Sequence, residues 1–137
     1  MTSVATEREL LLQSLDELLA ASAALRRRIR AMEVIYRRAR THTQRGSPVD
    51  VILSQGPASA EREELTRVLE AFDLARHNTR REFMVLGREE GLTVTRLAEL
   101  WGFSRQLAGR YLQEAEEIRR RRSGRGTRAA GRSRPRR

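Results

Sequence analysis

Residues 93–113 read Thr93-Val94-Thr95-Arg96-Leu97-Ala98-Glu99-Leu100-Trp101-Gly102-Phe103-Ser104-Arg105-Gln106-Leu107-Ala108-Gly109-Arg110-Tyr111-Leu112-Gln113. Two helical patterns meet here at a glycine. Leu97, Trp101, Phe103, Ala108 and Tyr111 supply apolar side chains on the two patterns, and Ala98 is a small residue within the first. Gly102, four residues later, takes the turn position that favours positive φ, which glycine adopts without a Cβ clash. Ser104 is a good N-cap for the second helix, because its hydroxyl can accept a free first-turn amide.

This stretch resembles the helix-turn-helix of bacterial and phage repressors and of resolvase-type DNA-binding domains. The resemblance covers about residues 92–113 and implies that the second helix lies in the major groove of double-stranded DNA. It also implies that Ala98 lies where the two helices approach most closely, that Leu97, Trp101, Phe103, Ala108 and Tyr111 lock them together, and that Arg105, Gln106, Gly109, Arg110 and Gln113 face the DNA. Arginine can bond bidentately to guanine and glutamine to adenine, each worth about 1–3 kcal/mol of discrimination. Thr93, Thr95 and Ser104 are the expected phosphate contacts. Gly109 replaces a small polar residue often seen there and costs about 1 kcal/mol of helix stability.

N-terminal to the motif, Ser59 is expected to cap a long helix in which Leu65, Val68, Leu69, Phe72, Ala75, Phe83 and Leu86 recur, up to Gly91 as terminator. His77-Asn78-Thr79 is its weak spot, a place to kink or divide. Before it, Ser47, Pro48 and Asp50 predict a short helix through Ser54, closed by Gly56-Pro57, whose Val49, Val51, Ile52 and Leu53 dock on the hairpin of the two long helices.

The first segment, from Thr6 to Thr43, is one long predicted helix, with Thr6 and Glu9 as a capping box. Leu11, Leu15, Leu18, Ser22, Leu25, Ile29, Met32, Tyr36 and Ala39 alternate in steps of four and three. A helix of about 37 residues is about 55 Å long, so it must pack along its length on another helix. Leu11, Leu15, Leu18, Leu25, Ile29, Met32 and Tyr36 are the expected dimerisation residues. Residues 1–25 are acidic on balance, whereas residues 26–45 hold eight arginines against Glu33. Antiparallel pairing of two helices would set the acidic half against the basic half. Alternatively, the basic half is a second phosphate-contacting surface.

The net charge of +10 comes from one end of the chain. Residues 119–137 contain ten arginines and no acid, while the rest balances eighteen arginines against eighteen acids. The expected organisation is therefore a long heptad-patterned helix (1–45), a connector with a short helix (46–58), a second long helix (59–91), the helix-turn-helix (92–122) and a disordered Arg-rich tail (123–137). Arginine, glycine and serine there offer no core to offset the entropy of folding. Arg119, Arg120, Arg121, Arg122, Arg125 and Arg128 are the expected non-specific phosphate contacts. Glu116 and Glu117 can pair with Arg120 and Arg121.

Together these features predict an all-α chain, one small domain with appendages, in which the two long helices form an antiparallel hairpin followed by the helix-turn-helix and the disordered basic tail. With no cysteine, disulfides and thiolate metal sites are excluded. His42 and His77 lie far apart, and no catalytic constellation, cofactor loop or metal-ligand spacing is present, so neither enzyme activity nor a cofactor is expected. Nothing resembles a signal peptide or membrane span, so a cytoplasmic, nucleoid-associated location is the expectation. The leading functional expectation is a homodimeric, sequence-specific DNA-binding transcriptional regulator. Its rivals are an architectural DNA-coating or bridging nucleoid protein, and a helical adaptor that docks on RNA polymerase or serves phage or plasmid assembly.

Overall fold

The computed structural model describes residues 3–57 and 59–130, with the side chains of 126–130 excepted. Among the described residues it is all-helical: α1 (Val4–Gln44), α2 (Val49–Ser54), α3 (Ser59–Glu89), α4 (Val94–Trp101) and α5 (Arg105–Ala130). None of these helices is long and apolar enough to cross a membrane. The chain divides into two compact units rather than one. One takes the residues up to Leu12 together with those from Asn78 onward; the other is Gln13–His77.

Helix ends explain most departures from expectation. α1 starts before Thr6, because Ser3 is the better-placed cap: its Oγ accepts the Thr6 amide at 3.2 Å, and its carbonyl accepts that of Glu7 at 3.0 Å. Pro48, not Ser47, holds the N-cap position of α2 without a side-chain capping bond, and Asp50 Oδ1 accepts the Val51 amide at 2.9 Å. Ser59 is the first residue of α3 rather than its cap, and its Oγ accepts from the Arg62 guanidinium at 3.4 Å. α3 runs unbroken through His77-Asn78-Thr79, since no residue there lacks an amide or a Cβ, although the division into units falls at this point.

In the Gln13–His77 unit, Met32 of α1 and Val68 and Ala75 of α3 are buried, and Arg28 meets Glu64 at 3.9 Å. α2 buries none of its residues: Val49, Val51 and Leu53 are exposed, against the expectation that they dock. A helix of six residues with no side-chain cap is too short to present a continuous apolar face.

The other unit has the denser core. Met84, Leu97, Ala98, Ala108 and Tyr111 are buried together, ringed by Val94, Trp101, Phe103, Leu107 and Leu112. Each large apolar side chain buried this way contributes about 1.5–3 kcal/mol. Four of the six aromatic residues form one run. Phe83 meets Trp101 edge-on at 5.6 Å, Trp101 stacks on Phe103 at 5.4 Å, and Phe103 stacks on Tyr111 at 5.8 Å. The Arg80 guanidinium caps the run, 5.5 Å from the Phe103 ring centre.

Candidate nucleic-acid interface

α4 and α5 are joined by a three-residue turn whose local chemistry is legible residue by residue. Thr93 Oγ1 accepts the Arg96 amide at 3.1 Å and so caps α4. α4 ends at Gly102, which sits at φ 71°. From there the Gly102 amide reaches the Glu99 carbonyl at 3.2 Å and the Phe103 amide reaches that of Ala98 at 2.9 Å. This double bond pattern closes a helix on a left-handed residue, where any side chain larger than hydrogen is strained. Gly91 closes α3 in the same way at φ 91°, with the Leu92 amide on the Gly87 carbonyl at 2.9 Å. Ser104 then caps α5, its Oγ accepting the Leu107 amide at 3.1 Å.

With the two helices fixed, the sides of α5 separate cleanly. Ala108, Tyr111 and Ala115 are buried, whereas Arg105, Gln106, Arg110 and Gln113 are exposed and Gly109 is half-buried. Arg105 and Arg110 make no hydrogen bond or ion pair among the described residues, so both guanidinium groups are open to an incoming partner. Thr93 and Thr95 are exposed at the start of α4. Gly109 has open space where a Cβ would stand, so packing within the chain does not require a glycine there.

Farther along, α5 departs from the expected tail. It continues to Ala130, where disorder was expected from Ser123. Arginine and alanine are good helix formers, and Glu117 stabilises the preceding turn through Arg121 at 3.6 Å, so the helix propagates past Gly124. Arg120, Arg121, Arg122 and Arg125 are exposed along it. The Arg128 side chain, and the arginines from Arg132 to Arg137, lie outside the described residues.

Arg119 differs from its neighbours. Its guanidinium donates to Glu7, whose side chain is fully buried, and Glu7 Oε2 has no hydrogen-bond partner. Burial lowers the Arg119 pKa from its ordinary value, but a guanidinium stays charged at any accessible pH. Arg119 therefore ties α5 to the first turn of α1 and is not a free phosphate contact. Arg81 makes a similar tie from α3, to Glu114 at 3.1 Å, with only 11 % of its side chain exposed.

Three residues of this unit have roles that the sequence reading missed. A Cβ on Gly87 would overlap Leu97 Cδ2, so α3 receives the Leu97 side chain of α4 against the bare backbone of that glycine. A glycine inside an otherwise unbroken helical pattern is the signal that could have found it. Glu7 and Arg81 carried no such signal, because their partners lie 112 and 33 residues away. A cleft of about 670 Å³, lined by Thr6, Arg81, Val85, Ile118, Arg119 and Arg122 among others, was equally unforeseen.

The expected dimerisation residues span all three degrees of burial. Leu11 and Met32 are buried within the chain, and Leu18 and Leu25 are half-buried. Leu15 is half-buried, and Ile29 and Tyr36 are exposed. Among the described residues, no three His, Asp or Glu side chains come together in a way that would hold a metal ion. No family model matches the chain, and no curated protein or solved structure matches it either.

Proposed function

We propose that the protein is a homodimeric, sequence-specific binder of double-stranded DNA, acting as a transcriptional regulator and not as an enzyme. In this reading α4 and α5 are a helix-turn-helix, and α5 enters the major groove with Arg105, Gln106, Arg110 and Gln113 towards base edges. One observation carries it. The first turns of α5 present two unpaired arginines and two glutamines to solvent, on a helix whose opposite side is locked into a core by Ala108 and Tyr111. Rigid backing and free donors are what readout of base edges needs.

Thr93, Thr95 and Ser104 stand beside that surface as phosphate contacts, and Arg120, Arg121, Arg122 and Arg125 extend the attraction along α5. In the same reading α1 and α3 pair as an antiparallel hairpin, and two such hairpins meet across half-buried Leu15 and exposed Ile29 and Tyr36. Dimerisation doubles the number of base contacts and explains how one short helix can serve a specific site.

Selection of bound fragments from genomic DNA tests the reading with the full chain and with the Arg105→Ala/Arg110→Ala variant. The native chain should enrich a symmetric site, and the variant should lose that preference. An unchanged preference in the variant would overturn the recognition assignment.

A further inference from the structure

We infer that the C-terminal half of α1 is a second surface for the phosphates of duplex DNA, separate from the first turns of α5. The inference rests on duplex DNA being the partner, and it concerns residues 26–45. Arginines elsewhere in the helices repeatedly pair with an acid one turn away. Arg67 bonds Glu64 at 2.5 Å, Arg76 meets Asp73 at 3.5 Å, Arg96 meets Glu99 at 3.3 Å, and Arg121 meets Glu117 at 3.6 Å. Arg26, Arg27, Arg30, Arg38, Arg40 and Arg45 break that habit. All six are exposed, and none of their side chains makes an ion pair or hydrogen bond among the described residues.

Their arrangement is directional. At 3.6 residues per turn, Arg26, Arg30 and Arg37 form one row and Arg27 and Arg38 the adjacent row, on the side of α1 opposite the buried Met32, with Arg45 just beyond the helix end. The only acid in the segment, Glu33, is already bonded to Arg37 at 3.3 Å. From Arg26 to Arg37 the row spans about 16 Å at 1.5 Å per residue. One strand of B-DNA offers a phosphate about every 3.4 Å of axis, so several phosphates lie within its reach. Arg26 and Arg27 stand one turn from Arg30, where like charges repel. A polyanion relieves that repulsion and releases counterions as it binds.

The same unpaired state marks Arg105 and Arg110 on α5. Elsewhere the described arginines engage an acid or, as Arg62, Arg80 and Arg88 do, a hydroxyl, a ring or a carbonyl, and they are left open mainly on these two faces and along the end of α5. The end of α5 is the stretch already assigned to phosphate attraction, which leaves α1 as the face without a role.

The test is the salt dependence of duplex binding by the full chain. An Arg26→Gln/Arg27→Gln/Arg30→Gln variant is set against an Arg62→Gln/Arg67→Gln/Arg76→Gln variant, which removes the same charge from α3. Glutamine is a comparable helix former, so equal far-ultraviolet ellipticity in all three proteins checks that the helices persist. The α1 variant should flatten the slope of log K against log salt by about 2 to 3, at about 0.9 per lost phosphate contact, with site preference intact. The α3 variant should keep the native slope. A native slope in the α1 variant, or an equal loss in both variants, overturns the inference while leaving the α5 reading untouched. A native chain that binds no duplex at any salt fails the functional reading itself, and this inference with it.

Discussion

The tie between Glu7 and Arg119 invites an asymmetric mutational experiment. Glu7 is fully buried, whereas 37 % of the Arg119 side chain is exposed. Removing the arginine strands a carboxylate with no route to water, and breaking a buried pair from that side costs about 3–5 kcal/mol. Removing the glutamate strands a guanidinium that can swing its long stem towards solvent. Its loss is screened, and we expect about 1–2 kcal/mol. Arg119→Ala should therefore be clearly worse than Glu7→Ala, although both break the same contact.

The double variant Glu7→Leu/Arg119→Met should recover most of the loss, since apolar replacement of a buried pair is often neutral or better. Trp101, the single tryptophan, stacks inside this unit's aromatic run and gives a local fluorescence signal for urea unfolding of the full chain. Equal costs for the two single variants, or a double variant no better than Arg119→Ala, would refute the argument that burial of the carboxylate governs the pair.

Three further outcomes follow from local geometry. Gly87→Ala should destabilise the unit by about 1–3 kcal/mol by thermal melting, because the new methyl overlaps Leu97, which is itself buried; an unchanged melting temperature would show that α3 and α4 can separate freely. Gly109→Ala should instead stabilise the fold by about 0.5–1 kcal/mol, since its Cβ enters open space, yet weaken binding to the selected site if backbone meets DNA there; stability lost on this change would contradict the helix around it. Hydrogen bonding to Arg67 holds the Glu64 carboxyl below its ordinary value of 4.5, with Arg28 assisting. A carboxyl depressed in the folded state stabilises above its unfolded pKa and loses that contribution as pH falls through the lower folded value. Acid titration followed by circular dichroism should thus show a small loss below about pH 4.5 that Glu64→Gln removes.

The α4–turn–α5 stretch was legible because its determinants are local. Thr93 and Ser104 bond amides three residues on, and Gly102 answers a dihedral requirement of its own backbone. Helix types and most ends were legible for the same reason. What escaped the sequence was one contest between neighbouring caps and, for the most part, non-local pairing. The competition between Ser3 and Thr6 for the first cap turns on which hydroxyl sits outside the first turn. Glu7 and Arg119 pair across almost the whole chain. The heptad pattern in α1 reads as one seam, but it serves two surroundings: Leu11 and Met32 are covered by the chain itself, while Ile29 and Tyr36 are left at the surface. A periodicity states which residues share a face and is silent on what covers it.

Charge shows the same limit in another form. Outside residues 119–137 the chain is formally neutral, which argues for a single basic tail and a featureless body. Formal balance ignores pairing, however. Glu64 is committed to Arg67, Asp73 to Arg76, Glu99 to Arg96 and Glu7 to Arg119, so much of the acid is placed where it cannot offset Arg26, Arg27 or Arg30. Screening over about 8–10 Å in physiological salt makes each face respond to its own neighbours and not to the sum. The surface available to a polyanion is therefore set by which arginines are left unpaired, and those on α1 and on the first turns of α5 stand in the part of the chain whose net charge is zero.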